Sequence, residues 1–168
     1  MHRRTLFKLG LTSAAVLVVA GSAAALLQPG LNQNVLSPTG RMIFLAVGRA
    51  VLDKSLPQQD DARETALKGL LDRIDGLIGG LPRYVQSELS QLLALLGSSA
   101  GRRALAGLNN LWDEATVAQV QQALQGMRLS RMALRQQAYA ALHDISAGAY
   151  FADPSSWSVL GYPGPLKI

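Results

Sequence analysis

There is no cysteine in this 168-residue chain. That absence excludes disulfides, thiolate metal sites, thiol nucleophiles and haem attachment through C-x-x-C-H. Histidine is almost missing too: only His2 and His143 occur, so a zinc site of imidazoles and carboxylates has no constellation to draw on. Aromatics are few (Phe 3, Trp 2, Tyr 4), and a core must be built mainly from Leu, Ala, Val and Ile. No G-x-G-x-x-G joins a strand-like to a helix-like segment, which removes the usual dinucleotide cradle. There is no dense basic stripe with interleaved aromatics, which argues against nucleic acid as a partner.

What is present is apolar and mildly basic. The hydrophobic fraction is 49% and the net charge +5. Three of those charges, Arg3, Arg4 and Lys8, lie in the first stretch, leaving +2 for the remainder. The length suits one small domain. Two basic groupings stand out, Arg102-Arg103 and Arg128-Arg131-Arg135, and both read as solvated helix faces.

The first stretch has three parts. His2 to Lys8 is basic, about Leu9 to Ala20 is apolar but diluted by Gly10, Thr12 and Ser13, and Ala23-Ala24-Ala25 offers a small-residue cleavage site. Cleavage is expected after Ala25 or Ala23. The other reading is a retained anchor, because Leu6 to Leu27 has the length of a span, about 20 residues. The segment His2-Arg3-Arg4-Thr5-Leu6-Phe7-Lys8 resembles a twin-arginine (Tat) export signal, S/T-R-R-x-F-L-K. Both arginines and the lysine match, the Phe/Leu pair is swapped, and His2 replaces Ser/Thr. The resemblance implies that residues 1–25 form a signal helix and that Arg3, Arg4 and Lys8 are read by the Tat translocase. It further implies export in the folded state to the periplasm; a retained leader would hold the protein at the inner membrane.

Residues 26–37, with Pro29, Gly30, Asn32 and Asn34, read as an extended linker. Ser37-Pro38 is a helix start, with Ser37 as N-cap and Pro38 at the first helical position. Helices are expected over about 38–54, 61–78, 82–96, 101–111, 117–127 and 130–149. The second is the cleanest: Asp60 or Asp61 caps it, and Leu67, Leu70, Leu71, Ile74, Leu77 and Ile78 follow the helical period. Gly79-Gly80 ends it. Thr116-Val117-Ala118-Gln119 is a capping box. No segment has a period of two, so no sheet is expected. Residues 38–149 are therefore read as an all-α bundle of about five to six helices.

The tail, 150–168, changes character. Tyr150, Phe151, Trp157 and Tyr162 crowd into it, and Pro154, Pro163 and Pro165 oppose continued α-helix. It is expected to be extended. A proline-stiffened aromatic segment suits docking on another protein. It suits folding back onto its own helices equally well. The ending Tyr150-Phe151-x-x-Pro154, then Trp157, then Gly161-Tyr162-Pro163-Gly164-Pro165 resembles the small subunits of periplasmic flavin dehydrogenases. These are the gluconate 2-dehydrogenase subunit 3 family, with relatives among sorbitol, glucose and other sugar or alcohol dehydrogenases.

The resemblance implies a non-catalytic subunit that carries the export signal for a leaderless, FAD-dependent large subunit of the glucose-methanol-choline type. The pair would form in the cytoplasm and cross together. Tyr150, Phe151, Trp157, Tyr162, Pro163, Gly164 and Pro165 would be the docking residues. FAD would sit in the partner and no cofactor in this chain, and a multihaem cytochrome c subunit often takes the electrons. Some family members carry cysteines and this chain has none, so an electron-relay role is not expected. The runner-up is a stand-alone periplasmic or membrane-tethered helical binding or envelope protein.

No catalytic residue is assigned. His143-Asp144 invites a triad reading, but adjacent helical positions diverge by about 100°, which is expected to keep the two side chains from orienting one another. The pairs Asp60-Asp61, Asp72-Asp75 and Asp113-Glu114 have plain uses as helix caps or exposed faces.

Overall fold

The computed structural model describes residues 28–164. The expected signal peptide, with Arg3, Arg4 and Lys8, lies outside the described residues, as does Pro165 of the tail. What is described is an all-helical bundle of about six helices with one minimal hairpin at its edge. Among the described residues no helix is long and apolar enough to cross a membrane.

The hairpin corrects the expectation of a linker with no sheet. Strands β1 (Leu31–Asn32) and β2 (Val35–Leu36) pair antiparallel, with Leu31 opposite Leu36. Both leucines are buried, while Asn32 and Val35 face water. Two residues per strand are too few to display an alternating period, so the pattern is invisible in sequence. The turn is made by Gln33, a non-glycine residue at φ 57°. Long-range bonds hold the hairpin: the Gly30 and Leu31 amides donate to the Ser90 carbonyl (3.2 Å) and hydroxyl (3.1 Å), and the Leu36 amide donates to Asp75 (2.7 Å).

Helix α1 (Pro38–Val51) starts as its sequence dictates. The Ser37 hydroxyl accepts from the Gly40 amide at 3.1 Å, and Pro38 occupies the first turn, where its missing N–H costs nothing. Ile43, Phe44, Ala46, Val47 and Ala50 are buried. The helix packs against every other long helix, which makes it the hub. It closes at Val51, earlier than expected, because the chain turns so that Leu52 and Leu56 can also be buried.

Helix α2 (Asp60–Gly79) has Gln59 at its N-cap position, with no side-chain cap bond, rather than Asp60 or Asp61. Those aspartates sit in the first turn, where they oppose the helix dipole favourably. Leu67, Leu70, Leu71, Ile74 and Ile78 are buried as the period requires; Leu77, contrary to expectation, is 37% exposed. Helix α3 (Arg83–Gly97) buries Leu89, Leu93 and Leu96.

The next segment departs furthest from its periodicity. Only α4 (Ser99–Gly101) and a π-helical turn (Arg102–Ala106) form, and the chain leaves helix at Gly107, φ 70°. The expected continuation to Leu111 is replaced by a loop. Trp112 closes that loop from within, buried and donating from Nε1 to the Leu96 carbonyl at 2.8 Å. Helix α5 (Val117–Arg128) begins with the expected capping box: the Gln119 amide donates to the Thr116 hydroxyl, and the Thr116 amide donates to Gln119. Helix α6 (Ala133–Phe151) lies slightly later than expected and runs into the tail.

Candidate functional site

The tail folds back, correcting the expectation of an extended strand. Residues Pro154–Leu160 form a 3-10 helix. Proline can open a helical turn because its N–H is not needed there. Asp153 completes the start, its side chain accepting from the Ser155 amide at 2.9 Å and its carbonyl from the Ser156 amide at 3.0 Å. The Ser156 hydroxyl, buried, donates to the Asp153 and Tyr150 carbonyls. Arg73 of α2 locks this corner, with Nε donating to the Ala149 carbonyl and a guanidinium N–H to Asp153, both at 2.8 Å.

The docking residues read from sequence thus divide. Tyr150 is buried in its own domain and donates to the Ser55 carbonyl at 2.8 Å. Phe151 and Trp157 are half-buried, joined by a bond from Trp157 Nε1 to the Phe151 carbonyl at 2.9 Å. Tyr162 packs edge-on against Trp157, with ring centroids 5.3 Å apart, yet keeps much of its ring in water. Pro163 is exposed, and Gly164 (φ 97°) lies over the Trp157 ring, where a Cβ would come within 3.5 Å. Val159, Tyr162 and Pro163 therefore form the free apolar edge of the tail.

Two ionisable groups at this corner are perturbed. The Asp153 carboxyl is held below its ordinary value, first by the Ser155 backbone N–H, then by the Ser155 side chain, with Arg73 adding to both. The Tyr150 phenol is pushed above 10.0 by burial, an effect partly offset by Arg73. A phenol whose folded value is raised contributes stability fully present below its unfolded value and lost as pH climbs through the folded one. Alkaline titration past pH 10.0 should therefore loosen the tail corner as the Tyr150 donor is lost. Trp157 fluorescence followed against tyrosinate absorbance checks this. Tyr150→Phe should remove that step and cost about 1 kcal/mol at neutral pH.

A second feature is an open groove of about 610 Å³ where the end of α1 faces the first turns of α2. Arg49, Asp53, Lys54, Asp60, Arg63 and Glu64 line it, over Leu56, Leu67 and Val117. Its lining offers carboxylates and cations but no imidazole or hydroxyl. Among the described residues no group of three or more potential metal-ligating side chains comes together.

His143 and Asp144 do touch, contrary to the geometric expectation. Nδ1 and the carboxylate lie 2.9 Å apart on a solvent-accessible part of α6, where the His143 ring stacks on Tyr139. The pairs Asp72-Asp75 and Asp60-Asp61 serve structure. Arg41 bridges Asp72 and Asp75, so that Asp75 ties α1, α2 and the hairpin together, and Asp60 pairs with Arg63. This latch role of Asp75 is carried by no local sequence signal.

The basic groupings also resolve differently. Arg103, Arg128 and Arg131 are exposed as expected. Arg102 is instead only 4% exposed, and its Nε has no hydrogen-bond partner. Arg135 is half-buried and donates to the Leu105 carbonyl at 2.8 Å, fastening α6 to the π turn. The comparisons of this chain with protein-family models, curated proteins and solved structures give no match.

Proposed function

We propose that this protein is a non-catalytic helical subunit that escorts a cofactor-loaded flavoprotein dehydrogenase through the Tat pathway and stabilises it in the periplasm. The observation that carries the reading is the Arg3-Arg4 pair with Lys8, directly ahead of an apolar run and an A-x-A-like site. The Tat route takes folded passengers, and a passenger that needs its cofactor inserted first gives an escort a reason to exist. The resemblance of the 150–165 segment to dehydrogenase small subunits names the passenger as an FAD-dependent large subunit. The exposed apolar edge at Val159, Tyr162 and Pro163 is the part of the tail still free to meet it.

The test is export of the flavoprotein. With Arg3→Lys and Arg4→Lys together, flavin-dependent dehydrogenase activity should stay in the cytoplasm, whereas the unaltered chain carries it out. An epitope at the exposed Asn109-Asn110 turn leaves the tail untouched. Native capture through it should yield a yellow, stoichiometric complex. Normal export of the flavoprotein without this chain sinks the reading.

One observation favours a second reading, a stand-alone exported helical protein. Tyr150 and Trp157 spend their polar atoms on their own chain, on Ser55 and Phe151. Under that reading native capture returns a colourless, folded monomer.

A further inference from the structure

The connection between α5 and α6 holds two large apolar side chains out in water. Leu129 is 67% exposed, more than any other large hydrophobic of the described residues, and Met132 is 57% exposed. A floppy loop is not the cause. The Leu129 amide donates to the Gln125 carbonyl (3.0 Å), the Ser130 amide to the Met127 carbonyl (3.2 Å), and the Met132 amide to the Ser130 hydroxyl (3.1 Å). Gln136 then clamps the Ser130 carbonyl at 2.8 Å. These bonds hold the turn in one conformation, with Leu129 and Met132 outward.

Along the chain, the charge at this turn is of one sign. Arg128 and Arg131 alternate with Leu129 and Met132, and both are exposed. No Asp or Glu occurs between Glu114 and Asp144. Asp113 and Glu114 stand beyond the other end of α5, about 18 Å away along a helix of this length. The π turn that packs on both helices brings Arg103, also exposed. None of Arg103, Arg128 and Arg131 is ion-paired with a carboxylate of the described residues.

From this juxtaposition we propose that the Arg128–Met132 turn is a lipid-contacting tip that seats the domain on an anionic bilayer surface. Apolar side chains that enter the headgroup boundary, ringed by cations that meet anionic headgroups, are the chemistry of interfacial binding. A protein partner fits less well. A five-residue tip cannot supply the roughly 800 Å² per side of a stable interface. A bilayer deforms around a protruding tip and needs no matching pocket. Nucleic acid is disfavoured because no aromatic side chain lies between the arginines to stack on bases. The inference does not rest on the escort reading.

The test must be local, because residues 1–27 carry an apolar run of their own. The chain has no cysteine, so Leu129→Cys takes a single environment-sensitive dye. Gln122→Cys, on the exposed side of α5, is the control. The full-length labelled chain is mixed with vesicles of phosphatidylcholine alone, or of phosphatidylcholine and phosphatidylglycerol in equal parts. The dye at 129 should shift to the blue and be quenched by chain-brominated lipid only with the anionic vesicles, while the dye at 122 stays aqueous.

Arg128→Gln with Arg131→Gln should weaken the response about thirty-fold, and salt near ~1 M should abolish it. Met132→Cys repeats the readout should the first label disturb folding. A dye that stays in water on a vesicle-bound chain overturns the proposal, as does equal entry into neutral vesicles or indifference to the arginine changes. Shielding of the dye by protein in extract but not by vesicles assigns the turn to a protein partner instead, and also overturns it.

Discussion

Replacing Phe44 with alanine should remove about 3–5 kcal/mol of stability, the range for a large aromatic deleted from a close-packed core. Phe44 is fully buried at the middle of α1. That helix touches α2, α3, α5 and α6, so the void would open in the element on which the other four long helices pack. Collapse to fill it would have to move several helices at once, which is why the upper part of the range is expected. A small domain holds only about 5–15 kcal/mol in total, so the variant should lose roughly 10–20 °C in Tm. Thermal melting by far-UV circular dichroism measures this. Phe44→Leu keeps most of the volume and should fall much less. A loss below about 1 kcal/mol for Phe44→Ala would show that α1 is not the hub its packing indicates.

Gly30→Ala should have the next largest effect, from a single methyl group. A Cβ at Gly30 would stand 2.2 Å from the Leu93 Cβ and 2.7 Å from the Ser90 carbonyl oxygen. Neither can swing aside as the tip of a flexible side chain could, because both belong to the α3 framework. The hairpin must lift or α3 must shift. Lifting breaks the Gly30 and Leu31 bonds to Ser90 and uncovers the buried Leu31 and Leu36. The expected cost is about 3 kcal/mol, at the upper end for forced overpacking. Hydrogen exchange distinguishes the two routes. Fast exchange confined to 30–37, with α2, α5 and α6 still protected, marks a lifted hairpin. Gly76→Ala is the control: it lies within α2 with nothing in reach of a new Cβ, and should stabilise by up to about 1 kcal/mol. A Gly30→Ala protein as stable as the parent would mean that the hairpin is not seated on α3.

Much of the bundle was legible from short-range chemistry. Ser37-Pro38 and the Thr116–Gln119 box start helices because caps are satisfied within three residues. Gly79-Gly80 stops one for an equally local reason. The stripe from Leu67 to Ile78 names its own buried face, because a helix puts every third or fourth residue on one side. The paired arginines ahead of an apolar run lie outside the described residues, and the export reading built on them is a proposal from sequence alone.

Tertiary structure decided the rest, wherever the deciding partner lay far along the chain. The hairpin exists because Ser90 and Asp75, 59 and 39 residues away, accept its amides. The helix expected to reach Leu111 stops at Gly107, and Trp112 turns back to Leu96. Arg102 and Arg103 are neighbours of one type, yet only Arg102 is buried; composition cannot rank them, because burial follows from which elements pack on the π turn. The tail could have been strand or cover. The choice fell to Arg73 and Ser55, which engage Ala149, Asp153 and Tyr150 across 76 to 95 residues. Periodicity and capping are local free energies and can be read one turn at a time. Docking of a turn, a tail or a lone arginine is a sum over surfaces that do not exist until the helices have met.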